Sequence, residues 1–181
     1  ASARPAAIAA EYTASVTGSQ GQLCTKPGVL FVPALAGLGA PHWRSDARGL
    51  LAGMSLGTTS AHVARAVVEG IAHQIADIVD AMDADSVAPL ASLSVDGGAA
   101  SSDLLVQLIA DAIGRPVSRP AELGLSARGV ALLAAQGSGL HAGGWTDDLS
   151  IRFEATADAA VHVAARARWH AAVDAAARLG S

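Results

Sequence analysis

The chain of 181 residues is poor in cysteine, lysine and aromatic residues, and it has no long apolar run. Cys24 is its only cysteine, which excludes an intramolecular disulfide and favours a reducing, cytoplasmic location. No apolar run reaches the roughly 18 residues that a membrane-spanning helix needs. The net charge is −4 and Lys26 is the only lysine, which argues against a nucleic-acid-binding surface. Hydrophobic residues make up 51 % of the chain, enough for a buried core.

The stretch from Ser92 to Pro120 predicts a strand, a glycine turn, a helix and a second strand. The apolar run Leu93 to Val95 is typical of a buried strand, and Asp96, Gly97 and Gly98 end it. Two strands joined through a helix are expected to be parallel, with a right-handed crossover. Ligands of parallel sheets bind beyond the carboxyl ends of the strands, which makes this turn the candidate site. A tight strand-to-helix turn without a ligand is the alternative.

The helix of this unit has clear start and stop signals. Ser101 or Ser102 offers a capping hydroxyl, and Asp103 places a negative charge in the first turn. Gly114 ends the helix, and Val117 opens the second strand. The apolar residues recur at helical spacing: Leu104, Leu105, Leu108, Ile109 and Ala112.

Periodicity and breakers predict the remaining elements. In chain order these are a helix at 5–16, strands at 29–32 and 50–54, a helix at 60–82, a helix from Ser126 to about 136, an extended piece at 151–153 and a helix from Thr156 to 179. Ser126 and Thr156 are the expected N-caps, and Trp169 is expected in the core.

The helix at 60–82 has an apolar stripe and a polar row. The stripe, expected to be buried, is Val63, Val67, Ile71, Ile75, Ile78 and Met82. Glu69, His73 and Asp77 step by four along another face. We interpret this row as a solvated face with weak ion pairs rather than as a metal or acid–base site.

Other candidate sites are weak. The glycine-rich loop at 34–43 resembles half of a dinucleotide fingerprint, but Pro41 and His42 stand where the third glycine belongs. Asp147 and Asp148 are interpreted as a solvated pair, and Cys24 as an incidental thiol. No metal site is predicted.

Four motifs in order carry a family resemblance. They are FVPALAGLGAPHW (31–43) with DARG (46–49), GLLAGM (49–54) with HVARAVVE (62–69), VDGGA (95–99) and SARGVA (126–131). Together they resemble the C-terminal domain of the FGGY carbohydrate kinases, most of all the glycerol-phosphorylating members. The resemblance covers 29–181, with 1–28 as a lead-in to one domain spanning 1–181. His42 replaces the usual tyrosine of the first motif.

The resemblance implies an α/β fold of the actin-like ATPase (ribonuclease-H-like) type, as the C-terminal half of a two-domain sugar kinase. ATP with Mg²⁺ would bind in the cleft, with the metal held mainly outside this chain. Gly98 and Ser102 would contact the adenosine beside Gly97, although the family has asparagine at position 102. The implied supporting residues are Asp96, Gly129 on a hinge-side helix, and Arg48, which with Arg44 and Asp46 would hold the loop after Trp43.

The resemblance also implies what the chain lacks. The family's general base, phosphate loops and polyol-binding residues precede this segment, so the chain would be truncated on its N-terminal side and inactive alone. The full enzyme would use ATP and a polyol or sugar, without nucleic acid or membrane, and homodimerisation is one way to cover an exposed sheet edge. The alternatives are a xylulose or gluconate kinase of the family, or a non-catalytic actin-like nucleotide-binding or interaction module.

Overall fold

The computed structural model describes residues 28–122, 124–140 and 150–180. Its elements are β1 (Leu30–Val32), β2 (Leu50–Ala52), α1 (Ser60–Asp85), β3 (Leu93–Ser94), a 3₁₀ turn (Gly98–Ser101), α2 (Asp103–Ile113), β4 (Val117–Pro120), α3 (Leu125–Gly137), β5 (Ser150–Phe153) and α4 (Ala159–Leu179). The predicted helix at 5–16, Cys24 and the Asp147–Asp148 pair lie outside the described residues.

The strands form two small sheets. In the first, β1 and β2 pair in antiparallel fashion, with Phe31 opposite Leu51. In the second, β3 lies parallel to β4 with Leu93 opposite Val117, and β4 pairs with β5 in antiparallel fashion. The predicted parallel pair is therefore confirmed, and the helix between its strands is α2.

The predicted caps are right for one helix and wrong for two. Ser102 is the N-cap of α2 and accepts a hydrogen bond from the Leu105 amide at 3.3 Å. In α3 the N-cap is Gly124, without a side-chain bond, so Ser126 is not the cap. In α4 the N-cap is Asp158 rather than Thr156.

Thr156 binds the carboxylate of Asp111 instead of capping α4. Its amide and hydroxyl both donate to Oδ1 of Asp111, at 2.7 and 3.1 Å. Asp111 lies on α2 and is buried, so its carboxylate needs nearby donors. Satisfying that carboxylate places Thr156 before the helix, and α4 starts three residues later.

Helix α1 lies between two packed regions, and it buries a different face from the predicted one. Its core-facing residues are mostly small: Ala61, Ala66, Gly70, Ala72, Ala76 and Val79. Three residues of the stripe that was predicted to be buried are exposed instead: Ile71, Ile78 and Met82 are 38, 42 and 48 % exposed. Small side chains let α1 approach its neighbours closely, so the large apolar residues were a misleading guide to the buried face.

The two regions on either side of α1 are separate hydrophobic clusters. One joins α1 to α2 and β4, with Ala72, Ala76, Val106 and Val117 among its buried members. The other joins the loop after β1 to α4, and its buried members are Val32, Ala34, Leu38, Ala47, Trp169, Ala172, Val173 and Ala176. Trp169 is fully buried there, as predicted from the sequence.

Gly70 gives a direct test of the close α1–β1 approach. A Cβ at this position would lie 2.2 Å from the backbone oxygen of Phe31. We expect Gly70→Ala to lower the free energy of unfolding by about 1–3 kcal/mol or more, because strand backbone cannot yield as a flexible side chain does. Thermal or urea unfolding measures the change.

Gly129→Ala is the matched control, since Gly129 is also inside a helix but a Cβ there would meet no described atom within 4 Å. Helix propensity predicts that this control gains up to about 1 kcal/mol. Equal effects of the two alanines would contradict the close approach.

Candidate functional site

The candidate site begins where β3 runs into the 3₁₀ turn. Gly97 precedes the turn with φ +91°, in the left-handed region that favours glycine. Its carbonyl accepts from the Ala100 amide at 3.0 Å, and the Ser101 hydroxyl donates to the Gly98 carbonyl at 2.7 Å. Ala100 is buried in the core, so the turn is anchored from behind while Gly98 and Ser102 face outward.

The two glycines are there for different reasons. Gly97 needs its positive φ, whereas Gly98 has no left-handed φ. A Cβ on Gly98 would meet none of the described atoms within 4 Å. Neither backbone conformation nor packing within the described part of the chain therefore requires glycine at position 98. Its effect is to leave the backbone open to close approach by another group.

Ser102 follows at the start of α2 and already has a structural task. Its Oγ accepts from the Leu105 amide, while its hydroxyl hydrogen can still donate to a ligand. Asp96, which directly precedes Gly97, is exposed. The predicted nucleotide-binding residues thus lie together at one end of β3, on an outward face of the turn.

The loop after Trp43 is held by its own charged residues. Arg44 donates to both carboxylate oxygens of Asp46, at 2.9 and 2.7 Å, and to the Ala177 carbonyl of α4 at 3.1 Å. The hydrogen bonds from Arg44 lower the pKa of Asp46 to about 2. Arg48 donates to the carbonyls of Ser45, Asp46 and Ala47, at 3.1, 3.0 and 2.8 Å. These contacts hold the loop against the end of α4.

Gly129 lies in α3, a helix with no buried residues. Nothing in the described part of the chain comes within 4 Å of the position of its missing Cβ. The small face at Gly129 is therefore open, and its hinge-side role stays a prediction.

A buried cluster around Asp77 was missed by the sequence interpretation. Its Oδ2 accepts from the Trp169 indole at 2.8 Å and lies 2.9 Å from Nε2 of His42. Its Oδ1 accepts from Arg166 at 2.6 Å. The expectation of a solvated face is therefore wrong at Asp77, which is 4 % exposed. A buried tryptophan needs a partner for its N–H, and that need was the one available signal.

The rest of the polar row is also buried or partly buried. His73 stacks on Trp169 with ring centroids 5.3 Å apart, and Glu69 pairs with Arg65 at 2.6 Å. Burial lowers the pKa of His73 to about 4, and the charge of Arg166 adds to this effect. Burial raises the pKa of Asp77, but hydrogen bonds from His42, Trp169 and Arg166 outweigh it and the net pKa is lowered. At neutral pH an uncharged His73 therefore lies beside Asp77, whose buried negative charge is compensated by hydrogen-bond donors.

Ligand atoms of Asp77, Asp80 and His170 lie within 4.8 Å of one another, close enough for a metal ion. However, Nη2 of Arg166 contacts both carboxylates, at 2.6 and 2.7 Å. The guanidinium already supplies the positive charge that a metal would bring, so we interpret this group as an ion-pair cluster in which Asp77 is buried and Asp80 and His170 are exposed.

The comparisons with known proteins decide the family. Residues 2–138, most of the chain, match the family described as "FGGY family of carbohydrate kinases, C-terminal domain". The chain belongs to the FGGY carbohydrate kinases. The resemblance carried by the four sequence motifs is thereby confirmed.

Curated FGGY relatives include several glycerol kinases. The glycerol kinase of Rhodopirellula baltica is 48 % identical over 155 residues, which cover 81 % of this chain and 28 % of that protein. The glycerol kinase of Polaromonas naphthalenivorans is 53 % identical over 127 residues, which cover 68 % of this chain and 25 % of that protein. The chain therefore spans less than a third of these relatives.

Solved FGGY kinases share the fold. The Plasmodium falciparum glycerol kinase, crystallised with ADP, superposes with a TM-score of 0.73 at 29 % identity, covering 92 % of this chain and 33 % of that one. The gluconate kinase of Lactobacillus acidophilus gives 0.69 at 20 % identity, covering 95 % of this chain and 35 % of that one. The predicted α/β, actin-like architecture of a C-terminal kinase domain is confirmed.

Among the helices of the described residues, none combines the length and apolarity needed to cross a bilayer.

The lowered pKa of His73 predicts a pH-dependent stability. An unfolded histidine binds a proton below about pH 6.5, whereas the folded one stays neutral down to about pH 4. Protonation of the unfolded state therefore lowers the free energy of unfolding below about pH 6.5. The loss reaches about 3 kcal/mol in total as the pH falls towards 4. Urea unfolding at steps between pH 7 and 5.5, above the range in which most carboxylates titrate, measures the slope.

His73→Phe is the matched variant, because it keeps a ring stacked on Trp169 and removes the titrating group. Its stability should change much less over the same pH range. An unaltered slope in this variant would assign the pH dependence to other groups.

Proposed function

We propose that this chain is the adenosine-binding, C-terminal domain of an ATP-dependent kinase that phosphorylates glycerol. The observation that carries the proposal is the 48 % identity to a glycerol kinase across 81 % of the chain, with the open glycine turn inside the matched region. In the whole enzyme, the γ-phosphate of ATP would pass to a primary hydroxyl of glycerol, giving ADP and glycerol 3-phosphate. The cytoplasm is the proposed location.

The described residues fit the adenosine end of a nucleotide. Gly98 leaves room for a flat ring or a ribose against the backbone, and the exposed Ser102 offers a hydroxyl. Gly97 sets the direction of the turn through its positive φ, and Asp96 flanks it. ATP supplies the phosphoryl group, and the accompanying Mg²⁺ is assigned mainly to residues outside this chain. The general base is assigned to the preceding part of the enzyme.

The proposal treats residues 1–181 as one domain. The packing of α4 supports this extension beyond residue 138, where the family match ends. Trp169 and Val173 of α4 share a buried cluster with Val32 and Ala34, which lie in the matched region. Homodimerisation stays a prediction.

Two other functions remain as alternatives. Solved xylulose and gluconate kinases share the fold at 20–26 % identity, which does not assign their substrates to this chain. A non-catalytic nucleotide-binding module would keep the turn and lack the chemistry. The substrate and the activity therefore need separate tests.

The first test is a substrate screen on the whole gene product. With ATP and Mg²⁺, we expect ADP release that depends on glycerol and exceeds that seen with xylulose or gluconate. Residues 1–181 alone should give no turnover, because phosphoryl transfer depends on positioning and charge neutralisation around the γ-phosphate. A preference for xylulose or gluconate would move the protein to another branch of the family. ADP binding without turnover on any of the three substrates would favour the non-catalytic module.

The second test addresses the glycine turn through Gly98→Ala. The new methyl group would project into open space, so stability should change little. It would also stand where the adenosine has to approach, so the Kd for ADP should rise about tenfold or more, equivalent to about 1.4 kcal/mol. Calorimetric titration of the whole protein measures Kd, and thermal unfolding measures stability.

Gly97→Ala is the matched comparison, because position 97 has φ +91°. It should lose stability by about 1–2 kcal/mol through backbone strain. Ser102→Asn keeps a good N-cap and adds an amide, so it should tighten ADP binding. An unchanged Kd in both Gly98→Ala and Ser102→Asn would remove the turn from the nucleotide site.

A further inference from the structure

Arg119 contacts the glycine turn from a neighbouring strand. It belongs to β4, the strand parallel to β3, and it is 9 % exposed. Its Nη1 donates to the Ala100 carbonyl at 2.9 Å and lies 2.7 Å from Oδ1 of Asp103. One guanidinium nitrogen therefore contacts both the turn and the first residue of α2.

A third contact fixes the orientation of the guanidinium. Its central carbon lies 5.2 Å from the centroid of the Phe153 ring, which belongs to β5 on the other side of β4. Arginine suits this position, since a planar guanidinium can stack on an aromatic face while donating in its own plane. Lysine would offer a point charge without the stacking plane. The side chain is thus held between β5 and the turn.

The two oxygens that Arg119 contacts belong to residues on either side of Ser102 in the sequence. Ala100 lies two residues before Ser102, and Asp103 directly follows Ser102. Gly98 lies in the same 3₁₀ turn as Ala100, while Ser102 caps the helix that Asp103 begins. By holding both oxygens, Arg119 fixes the direction of α2 relative to the turn. It thereby sets the relative positions of the Gly98 backbone and the Ser102 hydroxyl.

We propose that Arg119 is a positioning residue for nucleotide binding, which holds the glycine turn and the N-terminus of α2 in the arrangement that fits adenosine. This inference rests on the proposed function of the turn. Arg119 does not touch the ligand in this proposal, because it is buried and its Nη1 contacts Ala100 and Asp103. Its contribution is preorganisation: a turn already ordered loses less freedom when the nucleotide binds.

The test compares variants of the whole kinase at saturating glycerol. Arg119→Met keeps the length of the side chain and removes its donors. It should raise the KM for ATP and the Kd for ADP about tenfold, the scale expected for lost charge-assisted hydrogen bonds. The KM for glycerol and kcat should change little. Arg119→Lys should recover part of the ATP affinity, because an ammonium group can still donate to one of the two oxygens.

Arg152→Met is the matched control. Arg152 lies on β5, is exposed, and pairs with Glu154 at 2.5 Å without a described contact to the turn. Its KM for ATP should match that of the parent protein. Asp103→Asn should weaken the pair with Arg119 while keeping the Ala100 contact, so its effect should lie between those of Arg119→Lys and the parent.

The outcomes separate a positioning role from simple stabilisation. A purely structural Arg119 would lower the unfolding temperature and the active fraction, and leave the KM for ATP unchanged. That result would overturn the inference. If Arg119→Met does not fold, Arg119→Lys and Asp103→Asn give the same KM comparison. If the parent protein itself does not bind ADP, the proposed function fails first; if the parent binds ADP and these variants bind equally well, only the inference about Arg119 fails.

Discussion

The carboxylate of Asp77 is the constraint on which the packing of α1 depends. It is buried, and its hydrogen-bond partners come from two distant segments: Trp169 and Arg166 from α4, and His42 from the loop after β1. A buried charge without such partners would cost several kcal/mol. Its compensation therefore requires α1, α4 and the loop to assemble together. The second hydrophobic cluster, which includes Trp169, forms around that assembly.

Another face of α1 packs against the helix that begins at the candidate site. Ala72, Ala76 and Val79 lie in the same buried cluster as Val106 of α2. Short side chains bring the two helices close, which limits the freedom of α2 and of Ser102 at its start. Buried polar groups order one side of α1 and small apolar groups order the other. The candidate site is therefore ordered indirectly, through the packing of α1 against α2, and not by direct contact with the Asp77 cluster.

Features encoded by neighbouring residues could be predicted from the sequence, and features that depend on distant partners could not. The strand, turn and helix around Gly97, Gly98 and Ser102 follow from local signals, and the three residues are adjacent in space because they are adjacent in the chain. The prediction of the buried face of α1 was wrong because Asp77 contacts partners on α4, about 90 residues away in the chain. Arg119 was missed for a related reason, since only the parallel pairing of β3 and β4 brings it into contact with the turn.

The near contact at Gly70 has a mechanical consequence. With only a hydrogen atom between the α1 axis and the Phe31 carbonyl, rotating the helix would bring a larger side chain against the strand. Helix and strand therefore resist rolling against each other. A displacement of β1 and α1 relative to the rest of the chain must then be absorbed by the backbone at the ends of these elements. The segment at 53–59, between β2 and α1, is the nearest place where it can do so.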